Sequence, residues 1–171
     1  LAEERQLLYG SGTDPEIWGL ISDPDIQTYL WSSGVTGDTK LDAIRRAATL
    51  AMLAHYPVDG VVVHPSDWED IELQKGSDGH YLWVTVPSGG GLTVWRMPVV
   101  VTTSIDPGDF LLGAFRMGTT VWDREQANMR VSEHHADFFP RNMIAILLEE
   151  RIAQSIYRPQ AFVHGSFDSA P

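Results

Sequence analysis

The stretch that decides the fold is RNMIAILLEERIAQSIYRPQAFV, residues 141–163. It holds the longest run of large apolar residues in the chain, and three adjacent charged residues interrupt that run. A period of two places five apolar residues on one face, and a helical step of four aligns most of the same set: Ile144, Ile146, Leu148, Ile152 and Ile156. Isoleucine favours a strand, whereas Leu, Ala, Glu and Arg favour a helix. Periodicity alone therefore leaves both structures open.

Proline determines where this element ends. Pro159 has no backbone N–H and disfavours a helical conformation at Arg158, so the preceding element stops there. Residues 161–163 then predict a new short strand.

The composition excludes several classes of protein. The chain has 171 residues, 43% of them hydrophobic, which is enough to bury a core without covalent reinforcement. It has 0 cysteines, which excludes a disulfide framework and a thiolate metal site and suits a reducing cytoplasm. A net charge of -11 argues against sequence-specific DNA binding, because the phosphate backbone attracts basic surfaces. No apolar run is long enough to span a membrane.

The first half of the chain predicts two helices separated by a long loop. Residues 1–9 read as a helix that ends before Gly10, and residues 10–37 as a loop with short extended pieces. Residues 38–55 predict an amphipathic helix capped by Asp38 or Thr39. A short buried strand is expected at residues 60–64.

The second half predicts mainly strands. Ser66 and Glu69 have the spacing of a capping box at the start of a short helix. Further strands are expected at residues 81–86, 94–103 and 110–115. Residues 118–133 read as a hairpin whose turn lies near residues 125–127, and the overall pattern predicts an α+β fold.

The best candidate for a metal site consists of residues on the connector that follows this hairpin, Glu133, His134, His135 and Asp137. Adjacent residues of an extended chain point to opposite sides, so a solvated connector is the favoured interpretation. The chain contains no GxxxxGK[ST] phosphate loop and no GxSxG nucleophile motif. We therefore predict no metal and no cofactor.

Several short motifs nevertheless resemble one family when they are taken in order. They are LLYGSG at 7–12, GDT at 37–39, VHPSDW at 63–68, MPVV at 97–100, VWDR at 121–124, and the Asn-Met, Glu-Glu-Arg, Tyr-Arg-Pro and Ala-Phe-Val elements of residues 142–163. Their succession resembles the major capsid proteins of tailed bacteriophages, whose fold is named after the Hong Kong phage ninety-seven. The resemblance covers essentially the whole chain.

This resemblance implies a domain organisation. Residues 1–9 would be the end of the spine helix of the peripheral domain, and residues 10–117 an axial domain with a mixed sheet and flanking helices. Residues 118–158 would form long antiparallel peripheral strands, one of them at residues 142–157, and residues 159–171 would return to the axial domain. Because the first residue is Leu1, we expect a fragment or processed product that lacks the family's arm, extended hairpin loop and most of the spine helix.

The same resemblance implies a structural function. The chain would be a non-enzymatic capsid subunit that forms pentamers and hexamers of an icosahedral phage or prophage shell. Such a shell encloses double-stranded DNA without reading its sequence, contains no membrane, and is assembled in the bacterial cytoplasm to become the virion. Two alternatives are an encapsulin-like nanocompartment shell and a small metal-dependent hydrolase that uses the region of His134.

The same resemblance also implies site residues. In some capsid families of this type, an Asn at the position of Asn142 is attacked by a Lys of a neighbouring subunit, with a Glu at the position of Glu149 as the base. The favoured interpretation here is structural, with interfacial charges that pair across subunits: Glu149, Glu150, Arg151 and Arg158. The loop Gly89, Gly90 and Gly91 would lie near a symmetry axis, where subunits crowd.

Overall fold

The computed structural model describes residues 2–13, 16–76, 78–81, 91–132 and 141–167. The chain divides into two compact units. Unit 1 comprises Leu1–Thr120 and Ile156–Pro171, and unit 2 comprises Val121–Ser155. The described residues contain four α-helices and eight strands: α1 Ala2–Tyr9, β1 Gln27–Leu30, α2 Lys40–Leu53, β2 Gly60–Val63, α3 Pro65–Glu72, β3 Thr93–Val94, β4 Met97–Val101, β5 Asp109–Gly113, α4 Phe115–Gly118, β6 Thr119–Ser132, β7 Ala145–Ile156 and β8 Phe162–Ser166.

A mixed six-stranded sheet organises unit 1, with the strand order β1-β8-β5-β2-β4-β3. The pairs β1–β8 and β2–β4 are parallel, whereas β2–β5, β5–β8 and β3–β4 are antiparallel. Strand β8 lies next to β5 although it comes from the far end of the chain, so the carboxyl-terminal segment completes the centre of the sheet. This mixed sheet with flanking helices confirms the predicted α+β class.

Helix α2 is the main cover of this sheet, and its sequence explains why. Thr39 caps the helix and forms a reciprocal capping box with Asp42. A stripe of small residues with one isoleucine is buried completely, which lets the helix lie close to β8 and β5: Ala43, Ile44, Ala47, Ala48 and Ala51. The prediction of a helix over residues 38–55 is confirmed.

Helix α3 begins differently from the prediction. The expected capping box of Ser66 and Glu69 is wrong, because the helix already starts at Pro65 and His64 is its N-cap. The His64 ring nitrogen Nδ1 accepts a hydrogen bond of 3.2 Å from the backbone N–H of Ser66. Proline at the first helical position needs no N–H partner and has a suitable φ, and the helix starts two residues earlier than predicted.

The centre of the sheet is packed around two phenylalanines of β5 and β8. Phe110 and Phe162 are fully buried, and the Phe110 ring stacks on Phe167 with the centroids 4.5 Å apart. Gly165 of β8 lies directly against the Phe110 ring, where any Cβ would overlap the ring. Glycine is required there because the backbone must approach the ring closely.

The predicted single strand at residues 94–103 is in fact two strands joined by a tight turn. Trp95 and Arg96 form the turn with φ of 48° and 68°, respectively. Positive φ at both central residues is the geometry that suits a two-residue β-hairpin. Asn and Gly usually supply that geometry, and the Trp-Arg pair gave no such signal. Of the strand expected at residues 81–86, only Tyr81 lies within the described residues, where it bridges to Lys75.

Unit 2 consists of parts of the two long strands β6 and β7, which pair with each other. Trp122 Nε1 donates to Ser155 Oγ at 3.1 Å, and Arg151 lies 3.4 Å from Glu125. Trp122 precedes Glu125 on β6, whereas its partner Ser155 follows Arg151 on β7, so the two strands run antiparallel. The hairpin predicted within residues 118–133 is wrong, since Thr119–Ser132 form one strand.

Strand β7 resolves the ambiguity of the decisive stretch. The segment pairs with a second long strand, and this tertiary pairing overrides the helix propensity of its Leu, Glu and Arg residues. The strand begins at Ala145, three residues later than the resemblance implied, and Asn142 lies in a turn before it.

Candidate functional site

The first candidate site is the exposed apolar surface of the β6–β7 hairpin. Leu148 is 72% exposed and Ile146 is 68% exposed. Leu147, the neighbour of both, is exposed as well, so the apolar residues occupy both faces of the strand. Large apolar side chains of β6 and of the turn before β7 extend the surface: Val121, Trp122, Met129, Val131 and Ile144.

No side chain of unit 2 is buried at residues 121–132 and 141–155. A two-stranded hairpin that buries neither face is marginally stable on its own. A concentration of exposed large apolar side chains of this kind marks a site of protein association. The hairpin surface can therefore bury apolar area against another molecule.

Charged residues cross this apolar surface in the middle of β7. Glu149 is half-buried, whereas Glu150 and Arg151 are exposed. The guanidinium Nε of Arg151 lies 3.4 Å from Glu125 Oε2 of the adjacent strand, so Arg151 has a partner within its own chain. Arg158 is exposed in unit 1. Pairing of these charges across subunits remains a prediction.

Asn142 and Glu149, the residues that the resemblance implies for possible crosslinking, lie in separate elements, Asn142 before β7 and Glu149 within it. Asn142 is exposed in a turn with φ of 52°, a left-handed conformation that asparagine tolerates better than most residues. No hydrogen bond joins its side chain to Glu149 in the part of the chain that the structure describes. Crosslinking through these two residues would involve a second subunit and remains a prediction.

Two other predicted sites lie largely outside the described residues. The connector with Glu133, His134, His135 and Asp137 is one of them, and Gly89 and Gly90 belong to the other. Gly91 is described and exposed, and a Cβ there would meet only open space. Among the residues that the structure describes, no cluster of His, Cys, Asp or Glu could hold a metal ion. No helix in the same set is long and apolar enough to cross a membrane.

A polar network ties α1 to the turn that precedes β5. The Tyr9 hydroxyl donates to Asp109 Oδ2 at 3.0 Å and accepts from the backbone N–H of Asp106 at 3.0 Å. Arg5 binds the Asp106 carboxylate at 2.8 Å. Burial raises the pKa of Tyr9 well above its usual range, so its hydroxyl remains a donor. All of these groups satisfy one another, which indicates a structural role.

A cleft between α2 and the β3–β4 turn was not predicted from the sequence. This cleft, here called the cationic cleft, has a volume of about 310 Å³ and is lined by Arg45, Ala48, Met52, Trp95, Arg96 and Met97. The Trp95 indole N–H donates to the carbonyl of Leu41 at 3.2 Å, which fixes the ring at the mouth of the cleft. A signal was present in the sequence, because residues 79–105 contain no Asp or Glu.

Comparison with known proteins gives consistent results. Residues 1–167 match the Phage capsid family. The chain is 38% identical over 169 residues to the major capsid protein of Enterobacteria phage HK97, a match that covers 99% of this chain and 43% of that protein. The chain thus spans less than half the length of the curated relative that it matches.

Solved structures share the fold at low sequence identity. The capsid of a native GTA particle has a TM-score of 0.75 at 15% identity, covering 98% of this chain and 67% of that one. A structure from Gordonia phage Cozz has a TM-score of 0.74 at 16% identity, covering 97% and 58%. A virus-like particle from Pyrococcus furiosus has a TM-score of 0.64 at 16% identity, covering 97% and 64%.

The mixed sheet, the long exposed hairpin and the match over nearly every residue agree with one another. The chain belongs to the phage capsid family.

Proposed function

We propose that this chain acts as a major capsid protein subunit, which assembles with copies of itself into the icosahedral shell of a phage or prophage. The observation that carries the proposal is the β6–β7 hairpin, whose large apolar side chains are exposed on both faces. Burying such a surface against further copies removes apolar area from water, which stabilises the assembly. Family membership supports this function over an encapsulin-like nanocompartment and over a metal-dependent hydrolase.

The assembly would consist of pentamers and hexamers around enclosed double-stranded DNA. A net charge of -11 suits a shell protein that does not bind the enclosed DNA tightly, since DNA binding depends on Lys and Arg. The absence of cysteine suits assembly in the reducing cytoplasm of the host before the particle becomes a virion.

The two lobes of the family fold would correspond to different parts of this chain. Residues 10–117 would form the axial lobe and residues 118–158 the peripheral strands, and the latter overlap unit 2, Val121–Ser155. Residues 159–171 would return to the axial lobe, in keeping with the place of β8 in the sheet. Residues 1–9 fall within unit 1, so their assignment to the peripheral lobe rests on the resemblance alone.

Contacts between capsomers would use the charged middle of β7, with Glu149, Glu150 and Arg151, together with Arg158. The loop of Gly89, Gly90 and Gly91 would allow close approach of subunits near a symmetry axis, because glycine has no side chain to clash.

Covalent crosslinking through Asn142 and Glu149 is the less favoured chemistry. It would require a lysine, and no lysine is a partner of Asn142 or Glu149 among the described residues. Denaturing gel electrophoresis of assembled full-length shells tests it directly. Only monomer bands would exclude crosslinking, whereas ladders that vanish in an Asn142→Asp variant would establish it.

The main proposal is tested by expressing the full-length protein in bacteria. Sedimentation and electron microscopy should show closed shells for the wild type, and none for an Ile146→Glu, Leu148→Glu double variant, because two buried carboxylates would oppose the contact. Leu73→Glu is the matched control, since Leu73 is also an exposed leucine but lies at the end of α3. A soluble, folded wild type that remains monomeric under all assembly conditions would contradict the proposal.

A further inference from the structure

The two ends of the sheet in unit 1 carry opposite charge. Strand β1 forms one end and β3 the other. Residues 6–39, which include β1, contain no Lys or Arg but five acidic residues: Asp14, Glu16, Asp23, Asp25 and Asp38. Residues 79–105, which include β3 and β4, contain no acidic residue and one arginine, Arg96.

The cationic cleft lies at the β3 end. Arg45 donates to the neutral hydroxyl of Thr49 at 3.0 Å. No carboxylate pairs with Arg45 or Arg96 among the described residues. The same cleft is lined by Trp95, which is 50% exposed, and by the exposed side chain of Met52. Trp and Arg are the residues most often found to dominate binding at protein interfaces.

The opposite end presents complementary chemistry, and we call it the acidic edge: Asp23, Asp25, Leu30 and Val35. Asp25 is exposed, and its backbone N–H donates to Asp23 Oδ1 at 2.9 Å, which holds the two residues in one turn. Leu30 and Val35 follow within ten residues and are each 57% exposed. No ion pair joins Asp23 or Asp25 to a cation in the described part of the chain.

Asp38 differs from Asp23 and Asp25, because its carboxylate is paired with an arginine of the same chain. Arg46 Nε lies 2.6 Å from Asp38 Oδ2, and this hydrogen bond lowers the pKa of Asp38 below its usual range. The charge of Asp38 is thus already compensated within the chain. Asp23 and Asp25 have no such cationic partner among the described residues, and their charge is available to another molecule.

We propose that the cationic cleft of one copy binds the acidic edge of a second copy, so that subunits join head to tail around a capsomer. The inference rests on the proposed function and specifies which surfaces meet. Contacts between two different patches generate rings when the rotation closes. Two clefts facing each other would bring four guanidinium groups together, and two acidic edges would repel likewise, so charge disfavours the symmetric alternatives.

Charge reversal in the full-length protein tests this pairing. Arg96→Glu alone and Asp25→Arg alone should each lower the assembled fraction, measured by sedimentation velocity, by about tenfold or more, because like charges then face each other across the contact. The Arg96→Glu, Asp25→Arg double variant restores opposite charges and should recover most of the assembly. Arg45→Glu, on the exposed face of a helix, provides a second reversal that does not alter the β3–β4 turn.

Arg116→Glu is the matched control, because Arg116 is an exposed arginine of unit 1 that lines a different groove, with Asp59, Val62, Pro98 and Phe115. It should assemble as the wild type does. Circular dichroism of every variant shows whether it is folded.

The outcomes separate this inference from the proposed function. A wild type that forms shells while Arg96→Glu and Arg45→Glu assemble normally overturns the pairing and leaves the capsid function intact. If the single reversals lose assembly and the double variant does not recover it, the acidic edge is not the partner of the cleft. An equal loss of assembly in Arg116→Glu would exclude the acidic edge as well. A wild type that forms neither rings nor shells removes both proposals.

Discussion

Units 1 and 2 use their apolar residues in opposite ways. The sheet of unit 1 encloses fully buried side chains such as Phe110, Leu112 and Val163. The hairpin of unit 2 has comparable apolar residues, yet no described side chain there is buried. Unit 1 has a core of its own, whereas the described residues of unit 2 have none, and in the proposed assembly another copy would cover them. The same residue type should therefore affect folding in unit 1 and assembly in unit 2.

The largest expected effect on stability comes from the core of unit 1. Phe110→Ala should lower the free energy of unfolding by about 3–5 kcal/mol, because it removes a fully buried ring and leaves a cavity beside Phe167. Chemical denaturation monitored by circular dichroism measures this change. A loss below about 1 kcal/mol would show that the sheet is not the stabilising core.

Leu148→Ala is the counterpart in unit 2. It should change the free energy of unfolding of the isolated chain by only about 0.5 kcal/mol, since the side chain is 72% exposed and little burial is lost. Shell yield should fall nonetheless, as measured by sedimentation. If Leu148→Ala lowered the free energy of unfolding as much as Phe110→Ala does, the contrast between the two units would be wrong, because the hairpin would then have a core of its own.

A buried ion pair gives the next largest effect. Asp67 is 5% exposed, accepts from Lys40 Nζ at 2.8 Å and from the backbone N–H of Gly108 at 2.7 Å, and so ties α3 to α2 and to the turn before β5. Asp67→Ala should lower the free energy of unfolding by about 3 kcal/mol, because a partly buried ammonium group and an amide lose their partner. Asp70→Ala, whose exposed carboxylate binds the same Lys40 at 2.7 Å, is the control and should cost far less.

These contrasts also explain how much the sequence could predict. Local rules sufficed for α2, because Thr39 and Asp42 form the capping box and the alanine stripe has helical spacing. They failed at residues 118–133, where Glu125 and Gln126 resemble a polar turn but lie within one long strand. In an exposed strand the residues do not alternate between buried and exposed positions, so the sequence shows no period of two from which a strand could be predicted.

The candidate sites were predictable to different degrees. The decisive stretch could be placed on a strand only through the resemblance, because its pairing with β6 is a tertiary effect. The cationic cleft was missed for another reason. Arg45 and Arg96 are fifty-one positions apart, and only the fold brings α2 next to the Trp95–Arg96 turn.

The smallest expected effect concerns Arg151, where stability and assembly should separate most clearly. Its contact with Glu125 is 3.4 Å long and largely exposed. Arg151→Ala should therefore change the free energy of unfolding by about 0.5 kcal/mol or less, because exposed ion pairs contribute little. If β7 also makes contacts between capsomers, the same variant should still reduce shell yield, whereas Arg124→Ala on β6 should not. Such a result would mean that a residue with negligible influence on its own fold acts on the next subunit, whereas unchanged yield would restrict the interface to the apolar residues of the hairpin.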